Sequence, residues 1–139
     1  MNTIILPFDK DSADEVLRGR RKMLPWIKNF KRFVDVIVVA LITPSGLMAI
    51  GFVKVEAKSF ISKYTASGKI TAVDGSLPRR YWYDFEDCPK VCLFRLSDRF
   101  VLEKPIPATE LTGGRSVGSG IYVDNLDLSG CRLLDKGVM

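Results

Sequence analysis

At 139 residues, 47% apolar and 27% charged, the chain has the size and composition of one folded domain, which excludes disorder and two independent cores. It contains no histidine. Ser-His-Asp and Cys-His catalysis, histidine metal ligation and a histidine pH switch are therefore excluded, while a net charge of +5 leaves room for an anionic partner.

In chain order, Thr3 to Phe8 is a short apolar stretch that predicts a first strand. Ser12 followed by Glu15 has the capping-box spacing, Ala13, Val16 and Leu17 lie on one helical face, and Gly19 suits the position just past a helix. A helix of about two turns is expected there. It leads into the most informative segment, residues 18–32, where Arg18, Arg20, Arg21, Lys22, Lys28, Lys31 and Arg32 place seven cations with no acid. The remainder of the chain has 14 cations against 16 acids, so the positive charge is a local patch. Trp26, Phe30 and Phe33 are interleaved with it. Phe30 and Phe33 immediately precede an apolar run and are expected in the core; Trp26, beside Pro25 and among cations, suits either packing or stacking on a base.

Residues 34–43 (VDVIVVALIT) are rich in β-branched side chains and predict a strand buried on both faces. Pro44, Ser45 and Gly46 supply a turn into a second strand over residues 47–57, where Gly51 marks a bulge or a close backbone approach. Residues 58–64 are expected as a short helix and residues 65–78 as an exposed excursion. Arg79, Arg80, Tyr81, Trp82 and Tyr83 then form a second basic-aromatic cluster, followed by Asp84, Glu86 and Asp87. Residues 90–96 and 99–102 read as a strand or strand pair ended by Lys104-Pro105-Ile106-Pro107, and residues 108–111 as one helical turn. The glycine-rich stretch 113–120 lacks the Walker A and Rossmann spacings and reads as a mobile linker, before a last apolar triplet at 121–123 and a short tail. The sum is an α+β fold, a small mixed β-barrel with one or two peripheral helices.

The order of these pieces resembles the ASCH domain family, within the PUA-like superfamily. The resemblance rests on residues 15–21 (EVLRGRR), on Thr43-Pro44 through Gly51 to Val55, and on Arg99-Phe100 through Pro105-Ile106-Pro107 to Leu111. It implies that residues 1–139 are one PUA-like domain, with 113–139 as loop and tail, and that a cleft beside the first helix takes RNA, a nucleotide or a modified base. Some members are similar in being hydrolases of acylated cytidine, with a Gly-x-Lys-x-x-[Thr/Glu]-x-Arg motif after that helix. Aligned on Gly19, this chain has Arg21, Leu24 and Trp26 at the three polar positions, and Lys22 falls one residue out of register.

Binding is therefore the leading expectation. Arg18, Arg20, Arg21, Lys22, Arg79 and Arg80 would neutralise phosphate and Trp26 or Trp82 would stack on a base, because guanidinium forks pair with phosphate oxygens and exposed indoles stack on unpaired bases. The alternatives are a histidine-free hydrolase or ribonuclease using Lys22 with a carboxylate among Asp84, Glu86 and Asp87, and a protein-interaction module. No cofactor and no metal is expected: Cys88, Cys92 and Cys131 without histidine cannot complete a four-ligand zinc site. The N-terminus lacks the pattern of a signal peptide and no apolar run is long enough to cross a bilayer, so a cytoplasmic location with reduced thiols is expected.

Overall fold

The computed structural model describes residues 2–19, 22–26, 30, 32–62, 90–118, 120–123 and 133–136. The described elements are β1 (Thr3–Phe8), α1 (Lys10–Leu17), β2 (Met23–Trp26), β3 (Val36–Thr43), β4 (Gly46–Ser62), β5 (Lys90–Pro107), α2 (Ala108–Thr112), β6 (Ile121–Val123) and β7 (Leu133–Lys136). The strands form one mixed sheet in the order β2-β5-β4-β3-β1-β6, with β7 pairing to β5. β1 runs parallel to β3 and the remaining pairs are antiparallel. The sheet curls into a half-barrel with two helices, the α+β architecture expected from the sequence.

The β-branched run explains the centre of this sheet. Ile37 and Val39 of β3 face one apolar cluster, with Ile4, Leu6, Val53, Phe94 and the inner face of α1. Val38 and Ala40 face a second cluster with Ile5, Ala49, Leu102, Ala108 and Val117. Burial on both faces is what a continuous apolar strand buys, at about 1.5–3 kcal/mol for each large side chain removed from water. The β3–β4 turn is closed by the Thr43 hydroxyl, which donates to the Gly46 carbonyl at 2.6 Å. Both expectations at Gly51 are met: Val39 pairs with Gly51 but Ala40 with Ala49, which leaves Ile50 as a bulge, and the Gly51 backbone is pressed against Phe100 and Leu17.

Four sequence expectations need correction. The N-cap of α1 is Asp9, whose carboxylate accepts from the Ser12 amide at 2.7 Å, so Ser12 lies inside the helix and is buried. Residues 58–62 continue β4 as strand because they pair residue by residue with the start of β5, from Lys58 opposite Phe94 to Ser62 opposite Lys90. Phe33 is 51% exposed, whereas Phe30 is core at 1%. The glycine-rich stretch is tethered to the body: Val117 is buried in the second cluster, the Thr112 hydroxyl donates to the Arg115 carbonyl at 2.8 Å, and Gly120 sits against Leu6 and Phe30. Two strands, β2 and β7, carry no sequence expectation at all. β2 includes Pro25, which an edge strand tolerates because that edge needs no ladder donor.

Candidate nucleic-acid interface

The cationic segment starts where α1 ends. Gly19 takes a left-handed conformation, φ 74°, as its position past the helix requires. Arg99 of β5 lies against it and donates through Nε to the Val16 carbonyl at 2.8 Å and through Nη1 to the Ser97 carbonyl at 2.6 Å. A guanidinium on a last-turn carbonyl of a helix adds a donor to an acceptor that otherwise has, among the described residues, only the long Gly19 amide contact at 3.3 Å, and it complements the negative end of the helix dipole. Burial moves the Arg99 pKa down from its usual value, against the opposing pull of Asp98.

Within the segment the side chains sort by chemistry. Met23, Leu24, Pro25 and Phe30 are buried, while Arg18, Lys22 and Arg32 are exposed. Arg18 is engaged by Asp14 one helical turn back, Nε to Oδ1 at 2.8 Å. Lys22 and Trp26 stand at the two ends of β2: the Lys22 carbonyl accepts from the Leu96 amide at 2.8 Å, and Trp26 pairs with Cys92. Trp26 is half-buried, its ring tilted against Phe8 with centroids 5.3 Å apart. Leu24, at the polar position of the amidohydrolase motif, points into the core.

The C-terminal end of the segment is held by residues that carry no sequence motif. Phe30 packs edge-on against Tyr122 of β6, centroids 5.4 Å apart, and against Phe94 of β5 at 6.1 Å. It thereby links β5 and β6 across the interior of the curl. Lys58 of β4 donates from Nζ to the carbonyls of Phe30 and of Arg32, the latter at 2.8 Å. The Tyr122 hydroxyl donates to the same Arg32 carbonyl at 2.8 Å, and the Arg32 guanidinium lies 4.0 Å above the Tyr122 ring. Arg115 approaches from the glycine-rich stretch, with Nη2 3.4 Å from the Tyr122 carbonyl. Three cations thus gather about Tyr122. Burial raises the Tyr122 pKa, with Arg32 opposing, so the phenol keeps the proton it donates.

Cys92 is free and buried beside this cluster. Its thiol pKa is pushed up to about 11, chiefly by burial, with Lys58 and a hydrogen bond to the Phe30 backbone acting in the other direction. It is a packed thiol rather than a nucleophile. Among the described residues no three Cys, Asp or Glu side chains group as metal ligands, and no helix is long and apolar enough to cross a membrane. Arg20, Arg21, Arg79, Arg80 and Trp82 lie outside the described residues, as do Asp84, Glu86, Asp87, Cys88 and Cys131. Of the sequence candidates, the structure therefore places Arg18, Lys22 and Trp26. The residues missed by sequence reasoning are Lys58, Arg99 and Tyr122, whose roles depend on contacts between distant strands.

A curled mixed sheet with a short helix after the first strand defines the class of fold. Among solved structures, that fold is the one seen in the ASCH protein of Zymomonas mobilis. Its crystal structure is 17% identical in sequence, with a TM-score of 0.71 over 88% of each chain. A tyrosine-to-phenylalanine variant of the same protein gives 0.73 at 16% identity, covering 94% of this chain and 99% of that one. A hypothetical protein from Leishmania major is more distant, at a TM-score of 0.53 and 13% identity over 93% of this chain and 90% of its own. No family model and no curated protein matches the sequence. The ASCH-type fold expected from the order of motifs is the fold of this chain.

Proposed function

We propose that the protein binds RNA or a nucleotide through the cationic segment 18–32, by charge neutralisation with one or more bases stacked beside it. The observation that carries this reading is the sorting of the segment, in which Met23, Leu24, Pro25 and Phe30 are buried, Trp26 is half-buried and the described cations Arg18, Lys22 and Arg32 are exposed. Such an arrangement presents positive charge on a packed support, which suits a phosphate backbone. Trp26 is half-buried and is the aromatic assigned to stacking, which contributes roughly 1–3 kcal/mol per base. Arg20, Arg21, Arg79, Arg80 and Trp82 are assigned to the same surface on their residue types alone.

Fluorescence anisotropy with a labelled single-stranded RNA, and calorimetry with free nucleosides and nucleotides, test this reading at low salt. Binding is expected to weaken steeply with salt and to vanish on the double charge reversal Arg20→Glu, Arg21→Glu. If neither RNA nor nucleosides bind at low salt, the reading is wrong. Turnover of RNA or acylated cytidine that is lost on replacing Lys22 would replace it with a hydrolase, and binding to a protein that survives nuclease treatment would replace it with an interaction module.

A further inference from the structure

Lys58 owes its direction to an irregularity in the β4–β5 ladder. Val55 pairs with Leu96, both facing the inner cluster around Phe94, and strict alternation would turn Ala57 to that same face and Lys58 away. The register shifts instead between Val55 and Ala57, so that Ala57 pairs with the exposed Arg95 and Lys58 pairs with Phe94. One extra residue in a strand inverts the sidedness of everything beyond it. Directly paired residues share a face, so Lys58 is aimed inward, at the level where Phe30 packs on Phe94. There its ammonium meets the Phe30 and Arg32 carbonyls, and the Tyr122 hydroxyl meets the Arg32 carbonyl from β6.

We propose that Lys58 and Tyr122 are positioning residues that hold the C-terminal end of the cationic segment by its carbonyls and thereby set where Arg32 and its neighbouring cations stand. Like charges along residues 18–32 repel one another, so a fixed display of them needs restraints that act on the backbone and leave the cationic side chains facing outward. Donors reaching two successive stations of the main chain from β4 and β6 do this. Arg32 is then laid over the Tyr122 ring by the same contact that fixes its carbonyl. The consequence for RNA rests on the binding reading above; the consequence for the segment itself does not.

The test uses the full-length protein and the variants Lys58→Met, Lys58→Arg and Tyr122→Phe, the last of which removes only the hydroxyl and leaves the ring. Thermal unfolding establishes that each is folded, and Tyr122→Phe carries the test alone if Lys58→Met is not. The first readout is the rate of trypsin cleavage after Arg32 under native conditions, mapped by mass spectrometry. Loss of one restraint is expected to speed it about fivefold or more through local opening in Lys58→Met and in Tyr122→Phe, with Lys58→Arg close to the parent. Unchanged cleavage in both variants overturns the proposal. The second readout is binding of labelled oligouridylate as a function of salt. Positioning predicts weaker binding by Tyr122→Phe with an unaltered salt slope, since no charge is lost. If Lys58→Met instead lowers the slope by about 0.7 while Tyr122→Phe binds normally, Lys58 is a direct phosphate contact and the proposal is wrong. If the parent protein binds no RNA, the binding reading fails, and the cleavage rates still decide the positioning role.

Discussion

The α-carbon of Gly51 faces the carbonyl oxygen of Phe100 so closely that a β-carbon on it would overlap the oxygen, and Leu17 of α1 closes the same space from the other side, with Cδ2 2.9 Å from that point. The contact sits at the bulge of β4, where helix, hairpin and the long strand β5 meet. The constraint is steric, for Gly51 does not adopt a left-handed backbone.

Gly51→Ala is therefore expected to force the β4–β5 ladder apart or to displace Leu17. Overpacking of this kind costs about 1–3 kcal/mol, and the backbone oxygen puts this site at the upper end. Urea unfolding followed by circular dichroism should show a lower midpoint with little change in slope. Gly46→Ala, where nothing lies within 4 Å of the added methyl, isolates the cost of a positive φ alone.

Arg99 offers a second check, on the geometry that starts the cationic segment. Replacing it with methionine removes two donors from the Val16 and Ser97 carbonyls while keeping much of the stem. Hydrogen bonds from a charged group contribute about 1.5–3 kcal/mol, and partial exposure places this loss near the lower figure. Arg99→Lys is expected to recover only part of it, because an ammonium lacks the planar fork that spans two carbonyls. Thermal unfolding of the pair against the parent measures both.

The hairpin, the first helix and the exposed cations were legible because local rules wrote them. A β-branched run, a Pro-Ser-Gly turn, an apolar face at 13, 16 and 17 and a charge count need no knowledge of distant residues. The cap was misplaced by three residues because Ser12 and Glu15 imitate the pattern while Asp9 performs the function. Residues 58–62 failed for a different reason, since their strand state is imposed by residues 90–94 across a long separation in sequence. Lys58 was invisible as a site residue on the same ground. Its partners are backbone carbonyls, which have no residue-type signature, and its direction comes from a register shift that only the paired strand reveals. Arg99 was noticed as part of a motif without its task being apparent.

The salt dependence of RNA binding should count the cations of the segment that meet phosphate. With single-stranded RNA each neutralised phosphate contributes about −0.7 to the slope of log K against log salt, so all seven cations of the segment together would give about −5. Arg18 lies in an ion pair with Asp14 across one helical turn. Arg18→Gln is accordingly expected to reduce the slope by less than the about 0.7 that one full phosphate contact contributes. Anisotropy titrations between low and moderate salt read the change, and a reduction by the full amount would show that the Asp14 pair opens on binding.

Cys92 gives a prediction in pH. Its folded pKa of about 11 stands above the ordinary 9.0, because burial disfavours the thiolate. Between those values the native state retains a proton that the unfolded chain releases, so stability is full below pH 9 and falls as pH rises toward 11. The slope from this group is at most about 1.4 kcal/mol per pH unit. Tyr122, raised by burial as well, adds to the decline with the same sign. Cys92→Ala should flatten the alkaline limb of a stability–pH profile measured by urea unfolding, at some cost in packing at every pH. Thiol labelling mapped by peptide should show Cys92 reacting at pH 8 only as fast as the protein opens, since both access and thiolate formation require it to leave the cluster formed with Phe94 and Phe30.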